Sequence, residues 1–158
     1  MKRLFVPLVL IAVACVLSLR SVAQEATRPF VPVTDEMLQK PDPANWLSWR
    51  RTTDSQGFSP LTQITPDNVD RLVPQWTFQT STVGNFETTT LVRDNVLYVT
   101  GPLNVAWAID ARSGRQIWRY RRELPLTGLT ACCGLVNRGF GMLGDKLLVE
   151  TIAEAFED

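Results

Sequence analysis

At 158 residues, with 45% of them apolar and 20% charged, the sequence has the composition of a globular chain able to bury one ordinary core. Basic and acidic residues balance at 16 each, so the basic footprint of a nucleic-acid binder is missing. The chain has no histidine, which removes His-based triads, histidine metal ligands and the commonest general base.

The N-terminus reads as a targeting signal. "MKR" gives a positive start, residues 4–19 ("LFVPLVLIAVACVLSL") form an apolar stretch, and Ser21 and Ala23 occupy the small positions of an A-x-A-like cleavage site. The expected division is a signal peptide over 1–23, an extended lead-in over 24–43 and a folded part over 44–158. The apolar run is short for a membrane span and Pro7 interrupts it, so no stable span is expected in the mature chain. Losing Lys2, Arg3 and Arg20 makes the mature protein mildly acidic, and an exported chain enters an oxidising compartment, periplasmic or extracellular.

In the Pro-rich lead-in, "TDEMLQK" predicts a short helix with Thr34 as N-cap, acidic residues in the first turn and Pro41 as the stop. "TPDNVDRL" predicts a second, capped by Thr65 with Pro66 at the first helical position. After Leu72 the period changes. "QWTFQT", "FETTTLVR", "NVLYVT", "VAWAID" and "RQIWRY" are short runs rich in β-branched and aromatic residues, separated by turn residues, and they predict strands. "GFGMLGDKLLVET" predicts a hairpin turning at Gly144-Asp145. The class is all-β: sandwich, barrel or propeller.

Three motifs narrow that choice. "AIDARSGRQIW", Ala108 to Trp118, places Asp110 to accept turn N–H groups, Gly114 where positive φ is wanted and Trp118 as an apolar plate for a neighbouring sheet. "WLSWRRTTDSQGFSPLTQI" spaces Trp46, Arg51 and Ser59-Pro60-Leu61 ahead of the first strands. "ACCGLVNRG" holds the adjacent Cys132 and Cys133. Consecutive Cα atoms stand about 3.8 Å apart, so a bond between these two closes a strained ring. On residue types alone, free thiols, intermolecular bridges and partners elsewhere remain open beside it. Thiol exchange would more often use C-x-x-C.

The first motif resembles the tryptophan-docking repeat A-x-D-x-x-T-G-x-x-x-W of quinoprotein propellers, with Ser113 in place of Thr. All three, in their order along the chain over roughly residues 44–149, resemble the N-terminal part of the pyrroloquinoline quinone (PQQ)-dependent alcohol dehydrogenases. The resemblance implies a partial β-propeller, roughly the first one and a half of eight blades. It implies a vicinal Cys132–Cys133 disulfide packed on one face of PQQ, Glu87 hydrogen-bonded to the cofactor, and Arg138 on a PQQ carboxylate. It also implies an alcohol substrate, a Ca²⁺ or lanthanide ion, and a cytochrome c electron acceptor. The family's metal ligands and aspartate base come from later blades, so no catalytic or metal-ligating residue is expected in this chain. The acidic ending "IAEAFED" departs from the family pattern and suggests truncation, with the isolated chain inactive and poorly stable. A non-catalytic propeller scaffold or binding module of the cell envelope is the alternative; the scaffold would account for "AIDARSGRQIW" but has no need of Glu87 or "ACCGLVNRG".

Overall fold

In the computed structural model, residues 31–123 and 134–150 are described; the predicted signal peptide and the Cys132–Cys133 pair lie outside them. The compact unit beginning at Pro32 carries everything below. Its centre is an antiparallel sheet of four strands in sequence order: β1 (Leu91–Arg93), β2 (Val96–Gly101), β3 (Val105–Asp110) and β4 (Gln116–Arg121). A hairpin of β5 (Gly141–Leu143) and β6 (Lys146–Leu148) follows. Meanders of four strands are the unit from which propellers are assembled.

The turns follow from their residues. Asp94 and Asn95 both take positive φ, 50° and 64°, the pattern of a two-residue hairpin loop whose twist matches the strands it joins. Gly144, at φ 59°, makes the β5–β6 turn with Asp145, as predicted. Between β3 and β4 the Asp110 side chain organises the loop. One carboxylate oxygen accepts from the backbone N–H of Arg112 (3.0 Å) and Ser113 (2.8 Å) and from the Ser113 hydroxyl (2.8 Å). Serine in place of threonine therefore keeps the bond that matters, and the same hydroxyl accepts from Arg115 N–H at 3.3 Å.

These bonds, the Ser113 hydroxyl first, hold the Asp110 carboxyl below the ordinary carboxylate range. A carboxylate with a lowered pKa in the fold contributes stability above its unfolded value and loses it as pH falls through the folded one. The stability difference between wild type and Asp110→Ala, measured by urea unfolding, should therefore be present at pH 6 and shrink steadily below pH ~4. A pH-independent difference would count against this account of the turn.

Both faces of the sheet are packed over β1–β3, while β4 stays largely exposed. On one, Val105, Trp107 and Ile109 of β3 pack with Leu97 and Val99 and with Trp76 and Phe78 from the preceding segment. On the other, Leu91 and Tyr98 join Val33, Met37, Leu38, Trp46, Leu47, Phe140, Met142 and Leu147. This second cluster ties together the lead-in, the sheet and the β5–β6 hairpin. Lone antiparallel bridges, Trp46 to Val92 and Val33 to Gly144, reinforce it.

Three expectations need correction. "TDEMLQK" forms α1 (Asp35–Gln39) as predicted, with Thr34 Oγ1 accepting from Met37 N–H at 3.3 Å. "TPDNVDRL", by contrast, yields only a 3₁₀ turn, Val69–Arg71. There the Asn68 side chain accepts from Thr65 N–H at 2.8 Å, so asparagine closes the turn and the Thr65 side chain does not cap it. "QWTFQT" joins no ladder among the described residues; its period-2 pattern is met by Trp76 and Phe78 lying on the sheet face. In "FETTTLVR" only Leu91–Arg93 enters the sheet.

Candidate cofactor-binding site

The segment before β1 is anchored residue by residue, and Glu87 stands between two anchors. The Phe86 ring stacks on Trp107 with centroids 6.2 Å apart. The buried Thr100 hydroxyl donates to Thr88 Oγ1 at 2.9 Å, and Thr100 N–H reaches the same oxygen at 3.3 Å. Side chains alternate in an extended chain, so fixing Phe86 and Thr88 directs Glu87 to the opposite side. One residue further, Thr89 N–H donates to Arg138 C=O at 3.0 Å, and Thr89 forms a parallel bridge with Gly139.

That bridge brings the two predicted site residues together. Arg138 Nη2 stands 3.2 Å from Glu87 Oε2. Both groups remain open to solvent, with the arginine side chain 68% and the glutamate 38% exposed. An exposed pair of this kind contributes about 0–1 kcal/mol to stability. The guanidinium retains most of its planar fork of donors, the geometry that carboxylates and phosphates accept in bidentate fashion. The site can therefore take an anionic, planar group at the cost of little fold stability.

Beside the pair, Asn137 is nine-tenths buried and its amide is used at both ends. A shallow cleft of about 210 Å³ opens next to it, lined by Val83, Asn85, Pro102, Leu103, Leu135 and Val136 among others. Cys132 and Cys133 lie outside the described residues. Among the described residues no cluster of three or more His, Cys, Asp or Glu side chains could hold a metal ion, and no helix is long and apolar enough to cross a membrane.

At the other end of the sheet, Trp76 lies flat against the Asp110–Arg115 loop. Its indole N–H donates to Ala111 C=O at 3.0 Å, and a Cβ on Gly114 would sit 2.6 Å from its ring. The sequence motif drew attention to Trp118, which lies half-buried beside Tyr98 at 6.2 Å. The ring that Gly114 makes room for comes from "QWTF", outside the motif. The Thr88–Thr100 pair was also missed, because a Thr-Thr-Thr run reads simply as β-branched strand content.

The family model for the PQQ-type glucose/ethanol/alcohol dehydrogenase β-propeller domain matches residues 46–149. The chain belongs to this family. The four-stranded sheet and the hairpin are accordingly parts of a β-propeller, and the chain is a partial one. It is 41% identical over 110 residues to the quinohemoprotein alcohol dehydrogenase ADH-IIG of Pseudomonas putida, across 68% of this chain and 15% of that protein. Against the solved structure of ADHIIG from the same species the fold superposes with a TM-score of 0.70 at 37% identity, over 78% of this chain and 19% of that one. A europium-containing methanol dehydrogenase gives 0.67 at 29% identity, over 75% and 21%. The chain thus spans about a fifth or less of the length of these PQQ-family relatives.

Proposed function

We propose that residues 44–158 form the N-terminal part of a PQQ-dependent alcohol dehydrogenase and that Glu87, Arg138 and a Cys132–Cys133 disulfide make one wall of its cofactor pocket. The observation that carries this reading is the Arg138–Glu87 pair at 3.2 Å. Two residues singled out for the same cofactor, from segments far apart in sequence, converge on one exposed edge. The donor set fits the group, since PQQ is a planar tricarboxylate and Arg138 offers a planar cationic fork.

When bound, PQQ supplies a quinone that accepts hydride from an alcohol. The work of this chain's residues is binding and orientation. Arg138 neutralises a cofactor carboxylate, and Glu87 fixes the guanidinium plane while keeping one carboxylate oxygen for a hydrogen bond of its own. The vicinal disulfide would present a rigid apolar plate to the ring. The metal ion, Ca²⁺ or a lanthanide, and the catalytic aspartate belong to later blades. A periplasmic or secreted location is supported by the signal peptide assigned to 1–23, and a cytochrome c as electron acceptor by the name of a relative 42% identical over 96 residues, the 1-butanol dehydrogenase (cytochrome c) of Thauera butanivorans.

Equilibrium dialysis of the 158-residue chain against PQQ tests the reading. Arg138→Ala should raise the dissociation constant about 10- to 100-fold, the worth of one charge-assisted contact, with unfolding free energy changed by less than ~1 kcal/mol. Unreduced digestion of the same preparation should give the Cys132–Cys133 peptide two hydrogens lighter than its dithiol form. Equal affinity of wild type and Arg138→Ala, or free thiols in the peptide, would refute the assignment concerned.

A further inference from the structure

The Glu87–Arg138 pair accounts for how the guanidinium is held in front, but Arg138 sits on an irregular stretch with no ladder of its own to hold it from behind. Its neighbours do that. Asn137 is 9% exposed, and its amide is bonded at both ends: Nδ2 donates to Glu150 C=O at 2.9 Å, and Oδ1 accepts from Gly139 N–H at 3.0 Å. The amide orientation is fixed by chemistry, because a carbonyl can only accept and a backbone N–H can only donate. The first bond fastens residue 137 to the chain just after β6. The second closes a tight turn across Arg138 itself.

Gly139 completes the arrangement. Its φ is 130°, and a Cβ there would stand 2.8 Å from the Thr89 carbonyl oxygen, so glycine alone allows this backbone to lie against Thr89. Thr89 in turn adjoins Thr88, which the buried Thr100 hydroxyl holds, and Glu87 is one residue further. Arg138 therefore projects from a three-residue clamp whose two sides are the Asn137 amide and the Gly139–Thr89 bridge.

We infer that Asn137 is a positioning residue: it touches no ligand, and its two hydrogen bonds aim the Arg138 guanidinium at Glu87 and at the anionic edge of the cofactor. This rests on the reading of Arg138 as a cofactor anchor. Serving only to stabilise the fold, Asn137 would weaken binding equally with or without Arg138. Serving to aim Arg138, it loses its effect on binding once Arg138 is gone.

The test is a double-mutant cycle on the 158-residue chain with PQQ as the probe. Asn137→Ala should raise the PQQ dissociation constant about tenfold in the wild-type background and change it less than twofold in Arg138→Ala. In the chain without PQQ, the Nε–Hε NMR signal of Arg138, assigned through Arg138→Lys, should be distinct in wild type and move to the free-arginine position in Asn137→Ala. Should Asn137→Ala fail to fold, Asn137→Asp keeps the acceptor for Gly139 N–H, removes the donor to Glu150, and should show the same dependence on Arg138 at reduced size. Equal losses of affinity in the two backgrounds, or an Arg138 signal unchanged by both substitutions, would overturn the inference. Failure of wild type to bind PQQ would instead sink the proposed function and leave the Arg138 signal as the judge of positioning.

Discussion

Trp107→Ala is expected to cost about 3–5 kcal/mol of the stability of the sheet. Trp107 is 1% exposed on the central strand β3 and is the largest fully buried side chain among the described residues. Phe86 stacks on it, Phe78 meets it edge-on at 6.3 Å, and its register partners are Val99 and Arg119. Removing the indole empties the space between the sheet and the segment over residues 76–86. Gly101 cannot fill it, since a glycine there already exists to let the ring approach. Whole domains are stable by only about 5–15 kcal/mol, so the loss is comparable with the stability of a domain. Urea unfolding followed by near-ultraviolet circular dichroism measures it, with Trp49→Ala, at an exposed position, as a control within about 0.5 kcal/mol of wild type. A loss below ~1 kcal/mol at Trp107 would mean that this face is not the core.

Losing the Phe86–Trp107 contact also reaches the Glu87–Arg138 edge. Glu87 is oriented by its neighbours, so a Trp107 variant that still folds should bind PQQ more weakly although the substitution lies inside the sheet. Fold and site share the same short segment.

Gly114→Ala should cost about 2–4 kcal/mol, from two separable causes. At φ 70° an alanine pays about 1–2 kcal/mol for left-handed backbone. Its Cβ would also lie 2.6 Å from the Trp76 ring, so the indole must move and give up its bond to Ala111 C=O, worth about 1 kcal/mol. In a Trp76→Ala background only the backbone part should remain, about half the effect. The full cost persisting without Trp76 would show that the ring contact contributes nothing.

Much of the fold was legible because it is local. The β-branched and aromatic residues of "NVLYVT" and "VAWAID" predict strands, which the structure pairs from Val96–Asp110 to Gly101–Val105, and "RDN" and "GD" mark turns where Asp94, Asn95 and Gly144 take positive φ. Asp110 and Ser113 were readable as a turn because their partners lie within three residues. Two other segments misled the same reasoning. "QWTFQT" carries a strand's pattern, but a strand also needs a neighbour offering free N–H and C=O groups, and periodicity says nothing about that. "TPDNVDRL" shortened to a 3₁₀ turn because Asn68, more than Thr65, finds the local backbone partner.

The sequence by itself determined the all-β class, the family to which the chain belongs, and the residue types suited to an anionic planar cofactor. Each depends on spacing within a short window, where the identity of a residue nearly decides its conformation. Only the tertiary structure decided that Glu87 and Arg138 meet at 3.2 Å, that the Asn137 amide bonds the Glu150 carbonyl, and that Trp76 covers Gly114. The first and last of these contacts join segments separated by most of the sheet, and the second spans the β5–β6 hairpin. Their geometry is set by how the sheet folds back on its flanking chain, a balance of many packed side chains that no window of the sequence contains.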